Sequence, residues 1–133
     1  MKSPNKKFSI SQRIKSFRFA WNGIICLLRE EHNARVHLIA TVVVIVLGIV
    51  FRISMTESII LVVVIGMVFT AELLNSAIEV LSDFVEPEWN EKIGKIKDYC
   101  AGAVLVSAMI SVIVGVLIFL PKIFAVFHVS FDE

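Results

Sequence analysis

Three apolar runs limit what this chain can fold into: residues 36–53, the stretch opening near Ser58, and residues 98–120. A helix needs about 20 mainly apolar residues to cross the hydrocarbon of a bilayer, and each run meets or approaches that length. In lipid no water is available to an unpaired N–H or C=O, so a spanning segment must make its hydrogen bonds within itself. That requirement outweighs the β-branched sequence Val42-Val43-Val44-Ile45-Val46, which in water would favour a strand. Composition agrees: 57% of residues are hydrophobic and mean hydropathy is +0.84, above the share usual for a soluble domain. The sequence therefore predicts an all-α membrane protein with a single domain over residues 1–133.

Residues 1–11 are polar and basic and are expected to be flexible. From Gln12 the apolar residues Ile14, Phe17, Trp21, Ile24, Ile25 and Leu28 recur at helical spacing, with Arg13, Lys15, Arg18 and Arg29 on the other side. The pattern predicts an amphipathic helix over 12–33, lying on an anionic membrane surface with Trp21 facing lipid at headgroup level. Three transmembrane helices follow, over 36–53, 58–85 and 98–120, the second extending past the membrane. Pro87 stops that helix at or before Glu86, and residues 86–97 form a loop. The third span ends at Pro121, and the tail over 121–133, with Phe124, Phe127 and Phe131, suits an interface. Of the 13 Lys and Arg, eight precede Val36, one lies in the first connection, three in the second and one in the tail. That asymmetry puts the N-terminus and the 86–97 loop of a multi-pass protein in the cytoplasm. No cleavable signal peptide is expected, because the N-terminus is long, basic and amphipathic before the first run begins. Cys26 and Cys100 read as small packing residues, with no disulfide framework. A net charge of +1 gives no reason to expect a nucleic-acid partner.

The second apolar run passes without a turn signal into Glu72-Leu73-Leu74-Asn75-Ser76-Ala77-Ile78-Glu79-Val80-Leu81-Ser82-Asp83. At about 100° per residue, Glu72, Asn75, Glu79 and Asp83 fall within an arc of roughly 80°. Carboxylates in or beside a bilayer cost at least about 2.5 kcal/mol at the helix centre and mark functional sites. Stacked on one face they repel unless something positive lies between them, and a divalent cation answers that need.

The chemistry that suits such a stripe is phosphoryl transfer at the cytoplasmic edge. Magnesium is held by one or two carboxylates together with substrate phosphates, and Glu31 and Glu79 can supply the pair. Lys97 can neutralise phosphate charge, while Asp98 can orient that lysine or bind sugar hydroxyls. Glu88, Trp89 and Asn90 lie in the loop beside them. No glycine loop of the phosphate-cradling kind is present, since Gly94-Lys95 alone lacks the spacing. Glu72 sits deeper, about 10 Å along the helix from Glu79, where it can take a proton from a lipid hydroxyl entering from the bilayer. Asn75 can position either group. In the polar segment Glu30-Glu31-His32-Asn33-Ala34-Arg35-Val36-His37 the ordinary account of His32 and His37 is solvated side chains in an interfacial cluster. A small multi-span transporter with a membrane-embedded glutamate is the alternative. It accounts for Glu72 but not for the gathering of Asn75, Glu79, Asp83, Lys97 and Asp98 at one boundary.

The stripe, followed by Lys97-Asp98-Tyr99-Cys100-Ala101-Gly102-Ala103-Val104-Leu105, resembles the signature of the small bacterial integral-membrane diacylglycerol kinase and undecaprenol kinase family. Ala20-Trp21-Asn22-Gly23 and Glu30-Glu31-His32-Asn33 extend the likeness over nearly the whole chain. The resemblance implies a homotrimeric helical bundle with active sites shared between subunits, magnesium-ATP as donor and a lipid alcohol as acceptor. It implies Glu72 as catalytic base, Glu31 and Glu79 as metal ligands, and Asn75, Asp83, Lys97 and Asp98 completing the polar site. Glu88-Trp89-Asn90 matches a nucleotide-contacting Glu-aromatic-His, with Asn90 in place of the histidine. Lys95-Ile96 stands where Arg-Ala is usual, which loses a bidentate fork. The family's N-terminal arginine matches Gln12 or, one residue on, Arg13. Within the family, Glu30 to His37 resembles the undecaprenol kinase branch more than the enterobacterial diacylglycerol kinase branch.

Overall fold

The computed structural model describes residues 10–129, without the side chains of residues 11 and 127–129. Of residues 1–11, expected to be flexible, 10 and 11 are already helical, while residues 1–9 and the expected interfacial side chains of Phe127 and Phe131 fall outside what is described. Four helices follow one another: α1 (Ile10–Glu30), α2 (His32–Val50), α3 (Met55–Val85) and α4 (Glu91–Val129). Among the described residues no strand occurs. The last three helices are each long and apolar enough to span a bilayer.

Several element ends differ from the sequence reading, for local reasons. The surface helix stops at Glu30 rather than Asn33, because the backbone leaves the helical region at Glu31, with φ −94° and ψ 121°. The second span begins at Met55, not Ser58, since Ser54 and Glu57 make a capping box. Ser54 Oγ accepts from the Glu57 N–H at 3.3 Å, and the Ser54 N–H donates to Glu57 Oε2 at 2.7 Å. The loop is shorter than 86–97. Asn90 caps α4, its Oδ1 accepting from the Lys92 N–H at 2.9 Å and its carbonyl from the Gly94 N–H at 2.9 Å.

Pro121 does not end the last helix, which runs on to Val129. A proline removes one N–H from the ladder and crowds the carbonyl four residues back. Here the turn after it is held to α3. Lys122 Nζ pairs with Glu57 Oε1 at 2.9 Å, and Ile123 packs on the core cluster of Leu61, Ile118 and Phe119.

Helices α3 and α4 form the principal pair and run antiparallel. Ser111 Oγ donates to the Val64 carbonyl at 3.2 Å near mid-span, with Glu57–Lys122 at one end and Asp83–Lys97 at the other. The apolar core lies toward the α2–α3 connection, where Phe51 and Phe119 meet with centroids 6.2 Å apart. That connection closes tightly: the Ile53 N–H donates to Gly48 O at 3.1 Å and the Arg52 N–H to Ile49 O at 3.2 Å. Arg52 takes the left-handed conformation, φ 48°, and Ile53 lies over Gly48, where a Cβ would stand 3.0 Å from Ile53 Cδ1. With that core at one end, the opposite end of the bundle carries the polar residues, of which Glu72, Asn75 and Ser82 are buried.

Candidate active site

The corner between α1 and α2 is one residue wide. The Glu31 N–H closes α1 on Leu27 O at 2.9 Å, and the Glu31 carbonyl accepts from the Arg35 N–H at 3.4 Å to open α2. Leu27 and Ala34 are buried here, where α1 meets both α2 and α3, and the Glu31 side chain is half-buried.

Against this corner lies the stripe of α3, and its exposure rises along the helix. Glu72 is 2% exposed and Asn75 9%; Glu79 is half-buried and Asp83 exposed. Asn75 Nδ2 donates to Glu79 Oε1 at 3.0 Å, a contact between successive turns that the helical spacing predicts. Glu31 and Glu79 both lie within electrostatic reach of Glu72. The sequence reading missed one neighbour. His37 of α2 places Nε2 3.2 Å from Glu72 Oε1. The two atoms are not aligned for a hydrogen bond, so Glu72 Oε1 is buried without one, as are Asn75 Oδ1 and Ser76 Oγ. His37 is therefore not merely a solvated member of an interfacial cluster. It also stands at one end of an apolar groove of about 410 Å³ that runs past Thr41, Val64 and Ser111.

One level outward, Lys97 Nζ donates to Asp83 Oδ1, so the ammonium already has a carboxylate partner. Glu88 and Asp98 are exposed, and Trp89 is 90% exposed. Asn90, which stands where a histidine was expected, spends its side-chain oxygen on the α4 cap. Lys95 pairs with Glu91 at 2.7 Å on the outside of α4. Arg13 and Trp21 are exposed on α1, about 27 Å and 15 Å along the helix axis from Glu31. A single chain thus gathers Glu31, Glu72, Asn75 and Glu79 with His37, sets Asp83 and Lys97 beside them, and leaves Arg13 and Trp21 apart. Among the described residues no three His, Cys, Asp or Glu are close enough to hold a metal ion unaided.

The sequence pattern of the family described as prokaryotic diacylglycerol kinase matches residues 18–119. Undecaprenol kinase of Bacillus subtilis (strain 168) is 38% identical over 123 residues, which cover 92% of this chain and 100% of that protein. Diacylglycerol kinase of Synechocystis sp. is 33% identical over 109 residues, 81% of this chain and 62% of that protein. Diacylglycerol kinase of Escherichia coli (strain K12) is 26% identical over 109 residues, 82% of this chain and 89% of that protein. The family match runs from α1 well into α4 and takes in every element that builds the acidic corner; the chain belongs to the prokaryotic diacylglycerol kinase family and is a lipid kinase.

Proposed function

We propose that the chain transfers the γ-phosphate of magnesium-ATP to the hydroxyl of a membrane lipid alcohol, with undecaprenol preferred over diacylglycerol. The observation that carries this reading is the buried carboxylate of Glu72, set where α3 passes from apolar to polar sequence and followed outward by Asn75 and Glu79. A lipid hydroxyl reaches this level from the bilayer, and a nucleotide from the aqueous edge. Glu72 is the base that takes the hydroxyl proton. Glu31 and Glu79 would hold the metal. Two carboxylates completed by phosphate oxygens and water suit magnesium, which seldom uses an all-protein cage. The unpaired Asn75 Oδ1 leaves a further oxygen at the same place. When bound, magnesium neutralises charge on the transferring phosphate.

In phosphoryl transfer, positioning and charge neutralisation account for most of the acceleration. Asn75 fixes Glu79 by the bond already present. Lys97 serves the phosphates by exchanging Asp83 for them, and Asp98, Glu88, Trp89 and Asn90 border the nucleotide. Trp21 belongs to the lipid-facing side of α1 and Arg13 to the polar site, and both would serve the site of a neighbouring subunit in a homotrimer. The acidic corner and the α3–α4 loop lie on the cytoplasmic side of the bacterial inner membrane, as the Lys and Arg distribution favours. Undecaprenol is preferred because the undecaprenol kinase relative aligns over its full length, and because the segment Glu30 to His37 resembles that branch.

The test is a side-by-side assay of the purified protein in mixed micelles with magnesium-ATP and either undecaprenol or diacylglycerol. Phosphate on undecaprenol at the higher kcat/KM is expected. Higher kcat/KM with diacylglycerol would reverse the acceptor preference, and phosphate on neither lipid would overturn the reading.

A further inference from the structure

We propose that His37 is the positioning residue for Glu72 and receives its proton during turnover, an inference that rests on Glu72 being the base. Glu72 is 2% exposed, so a proton taken from a lipid hydroxyl has no direct way to water. The charged and titratable groups facing it are His37 from α2, Glu31 from the α1–α2 corner and Glu79 from its own helix. Helix α4 carries no charged residue between Tyr99 and Pro121. Two of the three facing groups are carboxylates, whose repulsion does nothing to fix the Glu72 rotamer. The imidazole can do so once Glu72 has taken the proton, because the new carboxyl O–H can then donate to Nε2, which lies 3.2 Å from Oε1. It is also the more open partner, 23% exposed against 2%. Along α2 it lies about 9 Å from Glu31 and the polar edge.

The step balances without an added reactant. The acceptor's O–H bond breaks and its proton goes to the Glu72 carboxylate, while the oxygen forms a bond to the γ-phosphorus. The bond from that phosphorus to the bridging oxygen breaks, and its electron pair leaves with ADP. The proton then passes from Glu72 to the lone pair of a neutral His37 Nε2, whose other nitrogen carries the resident hydrogen. Loss of a proton from the imidazolium to water, with tautomer exchange where Nδ1 is the nitrogen that gives it up, restores both side chains.

The test compares wild type, His37→Gln, His37→Asn, Glu72→Gln and the His37→Gln/Glu72→Gln double variant, full length, in micelles with magnesium-ATP and undecaprenol. With His37→Gln or His37→Asn, kcat is expected to fall about tenfold or more while KM for magnesium-ATP stays within about twofold. In the Glu72→Gln background the same change should cost less than about twofold, because the residue acts through Glu72. Three results would overturn the proposal: wild-type kcat in either His37 variant, an undiminished loss in the double variant, or a loss confined to KM for ATP. Failure of both His37 variants to assemble as wild type does on size exclusion would also overturn it, making the role one of folding. A slow Glu72→Gln with a fast His37→Gln removes His37 alone, whereas a fast Glu72→Gln removes the base assignment as well.

Discussion

Glu72 is the largest fully buried side chain among the described residues, and burying a carboxylate whose Oε1 makes no hydrogen bond is costly. Glu31 and Glu79, the proposed metal ligands, are more exposed. Glu31→Ala or Glu79→Ala should raise the magnesium-ATP concentration needed for half-maximal rate by about tenfold or more, since each removes one of few hard oxygen donors. A magnesium titration of ATP binding checks this, and unchanged affinity in both variants refutes the metal assignment. Away from the site, Cys26 is exposed on α1, and a hydrogen bond to Glu30, helped by desolvation, holds its thiol above the ordinary range. Less thiolate at a given pH means slower alkylation, so Glu30→Gln should speed the reaction of Cys26 with iodoacetamide at pH 8. The residues of the stripe were legible in the sequence because Asn75 and Glu79 sit at i and i+4 on one helix. His37 was not. Its contact with Glu72 joins α2 to α3, and no periodicity within either helix announces it.

At the scale of elements, the helices were legible and some of their ends were not. Ser54-Met55-Thr56-Glu57 fits a capping box, and Asn90 ahead of Glu91 is a capping pattern, so both starts were available to a reading of turn chemistry. Pro121 misled, because its effect on α4 is countered by an ion pair and by packing from a distant part of the chain. The break at Glu31 has no local sign: no glycine or proline lies between Leu28 and Arg35. Contact of α1 with both α2 and α3 is what places the corner. Ser54→Ala should destabilise the start of α3 by about 1 kcal/mol, with Glu57 losing its reciprocal bond. Thermal unfolding in detergent should show a lowered Tm, and an unchanged Tm would mean that the Glu57–Lys122 pair alone holds this end.

As a whole molecule the single chain leaves much apolar surface open, including Val42, Val46 and Ile49 on α2 and Val106, Ile113 and Leu117 on α4. Lipid or further copies must cover it. Small residues along α4, among them Ala103, Ser107, Ala108, Ser111 and Gly115, suit close helix packing, so crosslinking in detergent should yield trimers in wild type and in Glu79→Ala alike. A fully active monomer would contradict the shared site. The three spans were legible because apolar length leaves lipid-buried backbone no choice but helix, whereas the way copies join depends on surfaces that one sequence does not pair. The central claim is that Glu72 does the proton chemistry at a site whose nucleotide is held elsewhere. The measurement that bears on it most directly is turnover and magnesium-ATP affinity of Glu72→Gln, which keeps the shape of the side chain but cannot accept the proton. Turnover is expected to fall by about 10²–10⁴-fold with ATP affinity within about twofold of wild type; turnover near wild type, or an equal loss of ATP affinity, would contradict it.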